Sequence, residues 1–392
     1  MEPLERLVRD EGAVVLATLV RVTGRLDLAE DATQDALEKA LVTWPATGVP
    51  DNPRAWLIVA ARHRAIDIMR REAQRPVKEA LFDAAPSSDR DDLLSLIFMC
   101  CHPALSVDAQ VALALRTLGG LATADVARAL LVPEPTVAKR LTRAKQKIQQ
   151  ARIPYRVPPE HDLPARLTAV AATVYLIFNE GYTNGTPLLV GEALRLARLM
   201  PDEPTALGLL ALLLLQSSRH SPELLADQDR SRWDRRVIRE GVIVLGDALR
   251  HSPDRPDRYA VQAAIAACHA LAPSYEQTPW DAVVSWYDVL RTVHDTPVVR
   301  LNRAAAIAER DGPAAALPLV EALAGLESYP WWHATRGELL VRLGRTAEAA
   351  AAFEAALALD LPAPARLRVI SAARQARAAS CSHEPHRPGL DR

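Results

Sequence analysis

Cysteine is scarce in this chain of 392 residues, with four in all: Cys100, Cys101, Cys268 and Cys381. None forms a C-x-x-C pair, which argues against a disulfide framework and a cysteine-rich zinc site and fits a reducing cytoplasm. Aromatics are scarce too, at 5%, and the apolar share of 49% rests mainly on Ala, Leu and Val. Such usage favours helices over sheets and sets an all-α expectation. Net charge is nearly absent, because 47 basic side chains face 48 acidic ones. A chain so balanced does not hold nucleic acid by bulk charge, so any basic surface has to be local. Long apolar runs are missing as well. The longest, Ala206 to Leu215, is about half a membrane span, and the first residues, MEPLERLVRDEG, carry acids where a secretory signal carries lysines. These features point to a cytosolic protein with no membrane partner.

At this length two or three domains are expected. Leu26 to Leu41 has helical periodicity, with Asp31, Gln34, Asp35 and Glu38 on one face and Ala29, Ala32, Ala36 and Ala40 on another. Trp44-Pro45 and the Gly48–Pro53 stretch predict a break. A second helix is expected from Arg54 to about Glu72, with Leu57, Ala61, Ala65 and Ile68 inside and His63, Arg64, Asp67, Arg70 and Arg71 on the far side. From Arg54 to Lys78 there are seven basic residues and two acids. A solvated face explains Arg70 and Arg71 about as well as DNA contact does, and surface helices often carry acidic faces like that of Asp31 to Glu38.

Residues 76–92, rich in Pro, Ser and acids, read as a linker. Short helices follow near Ser106–Leu118 and Thr123–Leu130, then a turn and a longer helix from Glu134 to Ala151. That last helix sets Val137, Leu141, Ala144 and Ile148 on one side and Thr136, Lys139, Arg140, Arg143 and Lys147 on the other. Thr136 to Arg156 holds seven basic residues and no acid. Helix, tight turn and basic helix read as a helix-turn-helix, in which Lys139 and Arg143 would face the groove and Arg140, Lys145 and Lys147 lie near phosphates; the plainer alternative is an amphipathic helix with a solvated basic face, against which the absence of acids weighs.

Pro154 to Pro159 marks a second boundary, followed by Ala/Leu-rich helices. His333, Gly337, Leu340, Gly344, Ala349, Phe353, Ala356 and Leu357 fit tetratricopeptide spacing, with a weaker copy at Ala304, Ile307, Ala316, Val320 and Leu323. Cys100-Cys101-His102 reads as a buried helix end rather than a metal site. In Phe178 to Tyr182, Gly181 reads as a helix cap, and Trp331-Trp332 as a seal between repeats. No GxSxG, P-loop or HExxH motif occurs, so neither an enzyme nor a cofactor is expected.

Taken in order, Leu28–Asp35, Pro53–Arg71 and Pro133–Lys145 resemble the extracytoplasmic-function sigma factors of bacterial RNA polymerase, over about residues 1–152. The remainder is similar to a subgroup with a long helical, tetratricopeptide-like extension, through the stretches Leu96–Leu105 and Tyr175–Tyr182. The resemblance implies sigma region 2 at 1–75, a linker at 76–92, sigma region 4 at 93–153, a repeat domain at 160–378 and a disordered tail at 379–392. It implies that Asp31, Gln34, Asp35 and Glu38 dock on the clamp helices of the polymerase largest subunit. Arg54, Trp56, Arg62, His63, Arg64, Arg70 and Arg71 would melt and hold the -10 element, although the family often has Asn at the position of His63. Thr136, Lys139, Arg140, Arg143, Lys145 and Lys147 would read the -35 element. The repeat domain would contact the sigma domains within the same chain. The alternative is a DNA-binding regulator that senses a ligand or peptide and works without polymerase. Two departures concern the turn. Leu131 stands where the family usually has Gly and has to accept a left-handed backbone unless the turn is reshaped, and Pro135 replaces another Gly in the first helical turn.

Overall fold

Proline-punctuated, alanine-rich stretches form helices throughout. The structure, a computed structural model, describes residues 2–73, 88–219, 224–361 and 363–381, which hold eighteen α-helices and no strand. None of these helices is long and apolar enough to cross a membrane. The chain forms two compact units, Met1–Asp202 and Glu203–Arg392.

In the first unit α1 (Glu2–Thr23), α2 (Leu26–Thr47) and α3 (Pro53–Ala73) each pack on the other two. α1 precedes the first helix that sequence periodicity suggests. Ala13 to Leu16, Ala17, Leu19 and Val20 are all buried, so the segment has no polar stripe to betray it. α2 runs through Pro45 instead of breaking there and ends at Thr47 with Gly48 as its cap. In the last turn a proline forfeits only one backbone bond, and Trp44 beside it is buried. In α3 Leu57, Ala61 and Ala65 are buried as expected, whereas Ile66 is buried and Ile68 only half-buried.

Helix α4 (Asp89–Cys100) draws Asp89 to Asp92 out of the expected linker, whose residues 76–87 lie outside the described ones. Buried on every side from Asp92 to Cys100, it forms the centre of the unit. Asp92 accepts from Arg21 Nε at 2.9 Å and from Thr18 Oγ1 at 3.3 Å, which ties α4 to α1. The Tyr155 hydroxyl lies within hydrogen-bonding reach of the Ala17 and Asp92 carbonyls, at 2.6 and 2.7 Å, and donates to one at a time. Then come α5 (Val107–Thr117), α6 (Thr123–Ala129) and α7 (Glu134–Gln150), close to their expected bounds.

Two further helices, α8 (Leu163–Thr183) and α9 (Pro187–Leu199), belong to this unit and pack on α4 and, for α8, on α5. Their arginines close helix ends. Arg166 of α8 donates to the Phe98 carbonyl in the last turn of α4, and Arg195 of α9 donates to the Leu118 carbonyl at the end of α5, each at 2.6 Å. The last carbonyls of a helix have no partner within it, so such donors satisfy them. Arg90 of α4 returns the favour to the Met200 carbonyl at 3.2 Å. Gly181 does not cap α8. It sits inside the helix, where an added Cβ would lie 2.7 Å from Leu189 Cβ of α9, so the close helix approach is what requires glycine.

In the second unit each helix packs on the next in the chain: α10 (Pro204–Ser217), α11 (Arg235–His251), α12 (Arg258–Leu271), α13 (Trp280–Val293), α14 (Pro297–Asp311), α15 (Pro313–Glu321), α16 (Pro330–Arg342), α17 (Thr346–Leu357) and α18 (Ala363–Cys381). α14 with α15 and α16 with α17 are the two stretches whose spacing repeats. At Gly337 an added Cβ would meet the Phe353 ring at 2.7 Å, so α16 and α17 touch there without a side chain between them. Trp332 Nε1 donates to the Val320 carbonyl at 2.9 Å and seals α16 to α15, while Trp331 stays 37% exposed.

Candidate nucleic-acid interface

The turn between α6 and α7 is built as a Schellman motif. Val132 N–H donates to the Ala127 carbonyl at 3.0 Å and Leu131 N–H to Arg128 at 3.3 Å, with Leu131 in the left-handed region at φ 51°. Leu131 therefore does accept the backbone that its position demands. Its side chain is 73% exposed, so it gains no burial in return. Pro135 falls in the first turn of α7, where no internal N–H bond is lost.

Val137, Leu141, Ala144 and Ile148 are buried and fix the roll of α7. That roll leaves Lys139, Arg143 and Lys147 in an exposed row, four residues apart, with no ion pair among the described residues. The other three expected contacts sit differently. Thr136 is half-buried; Arg140 is half-buried and paired with Asp108 of α5 at 2.8 Å. Lys145 is paired with Glu30 of α2. A row of three cations on an acid-free ridge matches the phosphate and base-edge chemistry of a major groove.

On α2, Asp31, Gln34 and Glu38 are exposed and Asp35 half-buried, so the acidic face exists as a surface. Gln34 Nε2 donates to Glu38 Oε1 at 3.0 Å, and Asp35 is paired with Arg64 of α3. Gln34 and Glu38 also line a cavity of about 430 Å³, whose lining includes Arg116 and Thr117 of α5 and Gly120 beyond it.

α3 begins at a loop closed by Asn52, whose side-chain oxygen accepts from Ala55 N–H at 3.0 Å. Trp56 is half-buried edge-on to Trp44, with ring centroids 5.3 Å apart and the Lys39 ammonium 6.0 Å from its ring. His63, Arg70 and Arg71 are exposed, and Arg62 and Arg64 half-buried. Arg54 is held inward by Glu11 and Asp89, and the hydrogen bond to Glu11 above all keeps its guanidinium protonated. Glu30 and Glu11 are the partners that sequence reasoning missed. Each is one acid among several on its helix, and only the folded chain places it opposite a cation.

The Cys100 and Cys101 thiols are buried at the end of α4. Burial pushes Cys100 well above the ordinary thiol range and Cys101 up to about 12. Among the described residues no group of three or more His, Cys, Asp or Glu is placed to hold a metal ion.

Three stretches of the chain match known families, and the third of them crosses from the first unit into the second. Residues 7–75 match Sigma-70 region 2, residues 95–148 match Sigma-70 region 4, and residues 166–249 match a family of unknown function (DUF6596). The chain is 44% identical over 377 residues to the uncharacterized protein R00370 of Rhizobium meliloti (strain 1021), covering 88% of this chain and 89% of that one. It is 30% identical over 127 residues to the ECF RNA polymerase sigma factor SigC of Mycobacterium tuberculosis (strain CDC 1551 / Oshkosh), covering 31% of this chain and 68% of that one. The probable RNA polymerase sigma-C factor of Mycobacterium bovis (strain ATCC BAA-935 / AF2122/97) matches to the same extent.

Proposed function

The chain belongs to the sigma-70 family of RNA polymerase sigma factors, and on that footing we propose that it is a factor of the extracytoplasmic-function type whose second unit modulates it. The observation that carries this reading is the order of surfaces along one unit: an acidic helix face, a helix with exposed His63, Arg70 and Arg71, and a helix-turn-helix with Lys139, Arg143 and Lys147 in a free row. Core polymerase binds the face of Asp31, Gln34, Asp35 and Glu38. Trp56 and the basic side chains of α3 capture the unpaired -10 strand; unpairing costs a few kcal/mol, offset by stacking and phosphate contacts. Lys139 and Arg143 read the -35 element. The helical repeats of the second unit are of tetratricopeptide type and act from within the same chain at high effective concentration. The protein works in the cytoplasm and is not an enzyme.

Run-off transcription with the full chain and purified core polymerase tests this. Promoter-dependent transcripts are expected, falling on the order of a hundredfold in the Lys139→Glu, Arg143→Glu double variant. DNA binding without association to core polymerase would instead make the chain a regulator that works alone.

A further inference from the structure

The second unit contains a built cavity that the promoter chemistry does not use. A cavity of about 320 Å³ lies between α13, α14 and α16. Its walls are aromatic on one side, where Trp280 sits edge-on to both Tyr275 and His269 with centroids 5.3 Å apart. On the other side are two carboxylates and one cation. Arg342 is committed to Glu309 at 2.5 Å, which leaves Glu338 with no ion pair among the described residues. Burial, and next the neighbouring Glu309 charge, raise the Glu338 carboxyl above its ordinary range. The α13 wall is also short of partners. The Tyr287 hydroxyl has no hydrogen bond among the described residues, and burial pushes that phenol up to about 12. The Tyr275 phenol is pushed equally far by burial and by the charges of Glu309 and Glu338.

The lining therefore brings together one carboxylate without an ion pair, aromatic rings and an unused hydroxyl, with the Arg219 charge acting on Tyr287 and His269, and the Glu338 end suits an organic cation. Thr335 and Glu338 also line an adjoining cavity of about 510 Å³, whose other walls include Trp331, Val341, Phe353 and Val369. Trp331 and Val341 remain 37% and 43% exposed there, so this second space is an open apolar trough. Its size and lining are those of a small-molecule site.

We propose that the second unit binds a small amphiphilic cation, one guanidinium or ammonium group on an apolar chain. The head is held between Glu338, Tyr287 and the Trp280 ring, and the chain lies along Trp331 and Val341. This site stands whether or not the chain is a sigma factor of the proposed type.

Calorimetric titration of the full chain with octylguanidinium, octanol and octanoate tests it. Octylguanidinium binds at a single site, and octanoate does not. Glu338→Gln weakens binding by about tenfold or more, because an ionic hydrogen bond is lost, and Tyr287→Phe weakens it severalfold with the circular dichroism spectrum unchanged. Equal binding of all three probes, or an affinity indifferent to both substitutions, overturns the proposal. So does tighter binding of a blocked Arg-Leu-Leu peptide than of octylguanidinium, since the occupant is then a protein segment.

Discussion

Leu131 shows what a single side chain costs when the backbone has already chosen. A left-handed residue with a Cβ is strained by about 1–2 kcal/mol, and glycine removes that strain while adding some entropy to the unfolded chain. With 73% of Leu131 in solvent there is little packing to lose, so Leu131→Gly should stabilise the first unit by about 1 kcal/mol in urea unfolding. His269 in the second unit carries the opposite lesson. Burial first, then the charges of Arg219 and Arg230, depress its imidazole from 6.5 to about 4. A depressed pKa gives stability that is full above 6.5 and fades as pH falls toward 4, worth roughly 3 kcal/mol over the interval. Unfolding midpoints followed from pH 7 to pH 4 should therefore fall more steeply for the parent chain than for His269→Gln. Equal slopes would show that the histidine titrates freely.

At the scale of the element, α7 was the most legible part of the molecule and α1 among the least. Val137, Leu141, Ala144 and Ile148 keep a strict helical interval, so the roll of α7 follows from spacing alone, whereas which of its cations stay free depends on Asp108 and Glu30. α1 buries a nearly continuous block, which periodicity cannot orient. Pro45 and Gly181 misled because each has two meanings, breaker or last-turn residue in one case, cap or contact in the other. Only the neighbouring helix decides between them. The pair of Lys145 with Glu30 was not legible either, since it joins helices more than a hundred residues apart in sequence. It has a measurable effect: with Lys145 engaged by Glu30, one cation is withheld from DNA. Glu30→Gln should steepen the salt dependence of promoter binding by about one unit of slope, and Lys145→Ala should not. An unchanged slope in Glu30→Gln would mean that the pair opens freely on binding.

For the whole molecule, the division between units falls at Asp202, whereas composition places the end of the sigma-like part near Pro154. Prolines mark turns, but they do not say which side of a turn a helix packs on. The difference can be tested by truncation. A chain ending at Asp202 should unfold cooperatively. One ending at Pro154 lacks the bonds from Arg166, Thr173 and Arg195 to Phe98, Gln110 and Leu118, and should melt on the order of 10 °C lower. Equal melting temperatures would show that α8 and α9 merely rest on the unit.

The arginines that close α4 and α5 also decide which part of the chain can be moved by itself. Once Arg166 and Arg195 supply donors to the Phe98 and Leu118 carbonyls, the sigma-like helices no longer need to finish their own ends. α8 and α9 are therefore part of what completes these two helices. Region 4 of this chain should consequently fail as a graft into a sigma factor that stops after region 4, unless α8 and α9 are carried with it.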